Sequence, residues 1–207
     1  MPAELSLDEK RVLLSLARQG LEAAVLGQRP PAVAAEALPA ALQEPGSSFV
    51  TLMRAGQLRG CIGGLAAEEP LWADVRRHAA QVALEDYRFV PVAPEELPLI
   101  EIEISVLTPP APLAYASPAE LPGRLRPGVD GVVLQRGRQR ATFLPQVWEH
   151  VPDPEQFLSL LSEKLGAHPD QWRHGGLEVQ TYQVIQFTES ELKDEPVLGQ
   201  SLPRATD

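Results

Sequence analysis

The chain is poor in several of the residues that announce a function. It has a single cysteine, Cys61, in 207 residues, so no internal disulfide can form and no Cys-x-x-Cys metal knuckle exists. Aromatic residues make up only 5%, and no apolar run approaches the roughly 20 residues that cross a bilayer. Positive charge is in the minority, with 18 Lys and Arg against 28 Asp and Glu for a net charge of −10. That balance argues against nucleic acid or an anionic membrane surface as the main partner. His78, His150, His168 and His174 lie in separate segments without His-x-x-x-His spacing, so no metal site is expected. Gly128-Val129-Asp130-Gly131 reads as a turn, because it lacks the spacing of a nucleotide-binding glycine loop. Met1-Pro2-Ala3-Glu4 carries no basic region ahead of an apolar core, and the expected location is the cytoplasm.

What remains is an ordinary globular composition, 44% hydrophobic and 22% charged, with 21 prolines that predict many chain reversals and short helices. Ser6-Leu7-Asp8-Glu9 has capping-box form and precedes apolar residues at helical spacing, predicting a first helix over Leu7 to Leu26. Gln28 to Gly46, with four prolines, predicts an extended crossing with one short helical turn. A second helix opens at Glu69-Pro70-Leu71-Trp72, carries a stripe of Leu71, Val75, Ala79 and Val82, and ends near Asp86. Ile100, Ile102, Ile104 and Val106 alternate with Glu101, Glu103 and Ser105, the pattern of a half-buried strand.

Further along, Ser117-Pro118-Ala119-Glu120 predicts a capped short helix before Arg124. Val132 to Gln135 and Arg140 to Leu144 predict a hairpin across Arg136-Gly137-Arg138-Gln139. Asp153-Pro154 caps another helix, with Phe157, Leu160, Leu161 and Leu165 inward and Gly166 near its end. One last strand is expected over Leu177 to Phe187, bulged near Thr181 where its apolar phase changes. Hairpins separated by helices point to an α+β fold with mainly antiparallel sheets and flanking helices. Residues 191–207 read as an acidic C-terminal tail.

The richest segment is Leu58-Arg59-Gly60-Cys61-Ile62-Gly63-Gly64. Phe49 to Met53 and the turn Arg54-Ala55-Gly56-Gln57 place it on the return strand of a hairpin. Strand alternation puts Arg59, Cys61 and Gly63 on one face, with the Arg59 and Cys61 Cα atoms roughly 7 Å apart, and such a cation would favour thiolate. Glycines inside a strand mark a bulge or a close approach by backbone or ligand. Two readings stay open: a reactive thiol in a site, or a small buried hydrophobe whose glycines admit a neighbouring helix. Cys61 could also meet a histidine from elsewhere in the chain. Glu101 and Glu103 share a strand face at an acid–base separation, although alternation with isoleucines more simply marks a solvent face. Arg136, Arg138 and Arg140, with Arg124 and Arg126 upstream, make a local basic patch, read as an anion site or as a charged edge that blocks strand association.

Four segments carry a resemblance: Leu58-Arg59-Gly60-Cys61-Ile62-Gly63, Ala83-Leu84-Glu85-Asp86-Tyr87-Arg88-Phe89, Glu101 to Pro110, and Ala141-Thr142-Phe143-Leu144-Pro145-Gln146-Val147-Trp148. Their order and wording resemble the AMMECR family, called AmmeMemoRadiSam system protein A in bacteria and archaea. The resemblance implies a single domain over residues 1–190 with a larger and a smaller lobe. It implies Memo-like and radical-SAM proteins as partners, a small-molecule ligand as an alternative occupant, and either a monomer or a homodimer. In that family the Arg-Gly-Cys-Ile-Gly segment is the usual candidate site. Arg59 and Cys61 are therefore the candidate catalytic residues, and Gly60, Gly63, Gly64, Asp130 and Thr142 the candidate ligand-binding ones. Many members have histidine where this chain has Asp130, which weakens any mechanism requiring a histidine base there. The cofactor is left unknown, and whether the chain is an enzyme or a binding protein stays open.

Overall fold

A computed structural model describes residues 4–193. The chain forms two compact units, residues 4–107 with 185–193 and residues 108–184.

The first unit begins with α1 (Leu7–Val25), whose capping box forms: Ser6 Oγ accepts from the Glu9 N–H at 3.3 Å, and Glu9 Oε2 accepts from the Ser6 N–H at 2.7 Å. The proline-rich crossing holds two single turns, a 3-10 turn at Ala35–Ala37 and α2 (Ala40–Gln43). Then come β1 (Pro45–Arg54), β2 (Gln57–Gly63), the short β3 (Glu69–Pro70), α3 (Leu71–Leu84), a 3-10 turn at Pro94–Leu99 and β4 (Ile100–Leu107). The β1–β2 hairpin closes through Ala55 and Gly56, at φ +50° and +75°, as a turn matching strand twist requires.

β1 is the centre of this sheet. It pairs antiparallel with β2 on one side and β4 on the other, with β9 (Val184–Thr188) beyond β4, and it also pairs with β3. Val50, Leu52, Ile102 and Ile104 occupy its inner face, fully buried with Leu13, Ala17, Leu21, Val75 and Ala79 of the two long helices. Each such valine, leucine or isoleucine side chain contributes about 1.5–3 kcal/mol by leaving water. Under β1 lies a buried polar knot: Ser48 Oγ donates to Asp74 Oδ2 at 2.7 Å, and His78 Nδ1 stands 3.2 Å from the same oxygen.

The second unit contains β5 (Ala111–Pro112), α4 (Leu121–Arg124), β6 (Gly131–Arg136), β7 (Gln139–Phe143), α5 (Pro154–Lys164), α6 (Gln171–His174) and β8 (Glu178–Tyr182). Its sheet order is β5-β8-β6-β7. Val132, Leu134, Phe157 and Leu161 fill the core, with Trp148 stacked on Phe157 at 3.7 Å between centroids. Asp153 caps α5 by accepting from the Glu155 and Gln156 N–H groups, as expected, whereas the Ser117 side chain makes no cap bond.

Two expectations are corrected. The last strand is not one bulged strand: β8 ends at Tyr182 in the second sheet, and β9 (Val184–Thr188) belongs to the first. The phase change in the sequence marks a transfer between sheets, because each half satisfies a different buried face. Thr108 and Gln183 bracket the inserted segment and bond each other, Thr108 N–H to the Gln183 carbonyl at 2.9 Å and Gln183 N–H to Thr108 Oγ1 at 2.8 Å. The tail expected from residue 191 begins instead as a helix, α7 (Glu189–Lys193). Glu189 anchors it by accepting from Arg18 Nε at 2.9 Å and from the Ile102 N–H at 3.0 Å. The rest of that tail, 194–207, lies outside the described residues. No helix among the described residues is long and apolar enough to cross a membrane.

Candidate functional site

The glycine-rich segment is β2, the edge strand of the first sheet, as the hairpin pattern requires. Its register breaks once: Leu52 faces Gly60 but Met53 faces Leu58, leaving Arg59 as the extra residue of a β-bulge. The bulge overturns the simple alternation. Leu58, Cys61 and Gly63 face the outer-side residues Met53, Thr51 and Phe49, while Arg59 is turned to another task. Its guanidinium donates to Glu96 Oε1 and Oε2 at 3.0 and 2.9 Å and to the Val90 carbonyl at 3.0 Å. Arg59 thereby fixes the 90–96 loop, and with the Ala93 N–H and Arg54 it holds the Glu96 carboxyl down at about 2.

A different cation attends the thiol. Cys61 N–H and C=O point off the open edge of the sheet, away from β1, and both are met by one ion pair. The N–H donates to Asp86 Oδ2 at 2.9 Å, and Arg88 donates to the carbonyl at 3.0 Å. Arg88 also donates to both Asp86 oxygens, at 2.9 and 2.7 Å. The pair thus presents to Cys61 the acceptor and donor a neighbouring strand would present, satisfying edge groups that would otherwise invite association. Arg88, with the two backbone N–H groups, holds the buried Asp86 carboxyl far below the usual carboxylate range.

On the outer face, register sets Cys61, Thr51 and Glu103 in one cross-strand row. Thr51 Oγ1 donates to Cys61 Sγ at 3.4 Å. Burial pushes the thiol up; the Thr51 hydrogen bond and Arg88 pull down, and Asp86 and Glu103 add to the rise. The thiol's titration is thus raised above its ordinary value, which favours the protonated form, while the Arg59 guanidinium is engaged with Glu96.

The glycines divide by role. A Cβ at Gly60 would meet Val82 Cγ2 of α3 at 2.9 Å, so this glycine lets the helix lie against the strand. At Gly63 a Cβ would overlap the Ser48 carbonyl and the Phe49 ring of β1. Gly64 has open space at that position, and its N–H donates to the Ser48 carbonyl at 3.1 Å.

Asp130 and Thr142 belong to the second unit, and both are occupied internally. Asp130 is buried, accepting from the Arg126 backbone N–H at 2.9 Å and pairing with its guanidinium. Thr142 Oγ1 donates to the Val132 carbonyl at 2.9 Å and lies 2.9 Å from the Tyr182 hydroxyl, whose titration burial pushes up to about 12. Among the described residues, no group of three His, Cys, Asp or Glu side chains could hold a metal ion.

Sequence reasoning missed the roles of Thr51, Asp86, Arg88 and Glu96. Asp86 and Arg88 stand just past the end of α3, and their spacing of two residues, one buried carboxylate and one long cation, was the available signal.

The chain matches the AMMECR1 family model over residues 14–187. It is 39% identical to a protein of Thermofilum pendens, over 93% of this chain and 95% of that one. With a protein of Methanothermobacter thermautotrophicus it shares 40% identity, over 90% and 97%. Its fold is similar to the crystal structure of the uncharacterized protein PH0010 from Pyrococcus horikoshii, with TM-score 0.76, 34% identity and coverage of 88% and 92%. The matched residues 14–187 take in the whole β2 segment, coverage is near-complete in both directions, and the chain belongs to the AMMECR1 family.

Proposed function

We propose that the protein binds a small molecule or a partner protein at the segment from Arg59 to Gly64, within an AmmeMemoRadiSam system whose other members are Memo-like and radical-SAM proteins. The observation that supports this reading best is the row Cys61–Thr51–Glu103, in which thiol, hydroxyl and carboxylate share one sheet face. These three groups offer hydrogen-bond donors and acceptors on a rigid scaffold, and the clasp of Asp86 and Arg88 fixes the backbone beneath them. A protonated thiol suits recognition better than attack, since the thiolate is the nucleophile.

The alternative, an enzyme using Cys61 as nucleophile or redox thiol, draws on the Thr51 hydrogen bond and on Arg88, both of which favour thiolate. Burial and the two carboxylates oppose it. The test is co-purification of the tagged protein from its own host with Memo-like and radical-SAM proteins. Wild type and Cys61→Ser are expected to retain both partners, and Glu103→Arg to lose them while keeping its melting temperature within a few degrees. Loss of an enzymatic turnover in Cys61→Ser with capture unchanged would instead favour the thiol enzyme. Absence of capture by the wild type would defeat the partner reading.

A further inference from the structure

On the helical side of the first unit, away from β2, α1 and α3 enclose an open groove of about 330 Å³. Its shape follows from small residues. A Cβ at Gly20 would come within 2.6 Å of the Arg76 carbonyl, so this glycine lets the two helices touch. Beyond that contact Ala23, Ala24, Ala73 and Ala80 line much of the walls and leave space that larger side chains would fill, with Gln28, Pro30 and the Glu69–Arg77 ion pair completing the lining.

The groove contains an uncompensated cation. Arg77 is held by Glu69, Asp74 and Gln81. Arg76 instead stacks over the Trp72 ring at 4.9 Å and donates once, to the Pro31 carbonyl at 3.2 Å. No carboxylate pairs with it among the described residues, and partial burial pulls its pKa below the ordinary arginine value. In a chain of net charge −10, a half-buried guanidinium that has lost part of its hydration and gained no counter-ion favours an anion that restores the pairing.

We propose that this groove binds a small organic carboxylate, its oxygens paired with the Arg76 guanidinium and its compact apolar body against the alanine walls. A guanidinium meets a carboxylate in two parallel hydrogen bonds. Apolar walls and a volume at the lower end of the range for ligand pockets select a compact body over a chain or polymer. The site is independent of the β2 segment and of the reading given for it.

The test follows the Trp72 indole and Arg76 guanidino signals of the ¹⁵N-labelled full-length protein by NMR during titration with benzoate. Neutral benzamide and inorganic phosphate are titrated in parallel. Saturable shifts of both signals are expected with benzoate below about 50 mM, weakened at least about tenfold in Arg76→Gln. Ala73→Leu, which fills the groove and keeps the charge, is expected to abolish them, and its own spectrum reports that the helix is intact. Equal response to benzamide would refute the pairing with Arg76. Equal response to phosphate would refute the part assigned to the apolar walls. Benzoate shifts that persist unchanged in both variants, or no saturation in the wild type, would overturn the site.

Discussion

The three glycines after Arg59 allow a graded test of what each is for. The substitution is alanine at Gly60, Gly63 or Gly64, and none of the three has positive φ, so backbone strain does not enter. Alanine lowers the entropy of the unfolded chain and by itself stabilises by about 0.4–1 kcal/mol. At Gly64 the new methyl meets nothing within 4 Å, so the expected change is neutral to slightly stabilising. At Gly60 it meets Val82 Cγ2 at 2.9 Å and the Val82 carbonyl at 3.3 Å. The methyl can yield and the carbonyl cannot, giving a net cost of about 1–2 kcal/mol. At Gly63 the overlap is with the Ser48 carbonyl and the Phe49 backbone and ring, in a strand paired on both sides. Relief requires separating β1 from β2, and the expected cost is about 3 kcal/mol or more. Urea unfolding followed by Trp72 fluorescence, in a background where Trp148 and Trp172 are phenylalanine, reads the first unit alone. With an m-value of about 3 kcal/mol/M, the Gly63 variant should lose about 1 M in midpoint. If Gly64→Ala proved as damaging as Gly63→Ala, the assignment of these glycines to packing would fail.

Two further predictions concern charge. Alkylation of Cys61 by iodoacetamide should rise with pH through a midpoint above an ordinary thiol's value of about 8.5, because burial raises it. Arg88→Ala should move the midpoint higher and Glu103→Gln lower, while Arg59→Ala leaves it in place; a wild-type midpoint below 7 would contradict the electrostatics described for the site. For Glu96, the folded-state carboxyl sits at about 2 against an ordinary 4.5, so its stabilising effect is complete above about 4.5 and is lost as pH falls toward 2. Glu96→Gln should therefore cost about 1–2 kcal/mol at pH 7 and show a shallower stability loss between those pH values in thermal melts. Equal pH slopes in variant and wild type would refute the role given to the Arg59–Glu96 pair.

Local patterns made most of the elements legible. The capping box at Ser6 and Glu9, the stripe Leu71–Val75–Ala79–Val82 and the alternation from Ile100 to Val106 each follow a single period that the core enforces, and the helices and strand stand where those periods put them. What misled was register. The bulge at Arg59 inserts one residue that no hydropathy pattern marks, so the face assigned to its guanidinium was wrong although the strand was right. The transfer at Gln183 left a phase change that a bulge explains equally well until the two sheets are seen. The partners of Cys61 stayed hidden for another reason. Asp86 and Arg88 lie 25 and 27 positions away, bond its backbone and reach the thiol only through their charges, a relation that side-chain chemistry in the sequence does not reveal. The Ser48–Asp74–His78 knot is concealed in the same way, since it joins one strand to one helix across a buried face.

Because β9 follows the second unit in the chain, the first sheet is assembled from pieces made at different times. During synthesis α1, α2 and α3 and the β1, β2 and β4 strands emerge together, but the strand beside β4 arrives only after the inserted segment has been made. At about 5–20 residues per second the β4 edge stands bare for several seconds, while the inserted unit, continuous in sequence and closed at its ends by Thr108 and Gln183, has everything it needs to form first. The nascent protein therefore passes through a stage with a finished inner module and an unfinished outer one, and that interval is when a chaperone, or a second nascent copy offering its own strand, would find its opportunity.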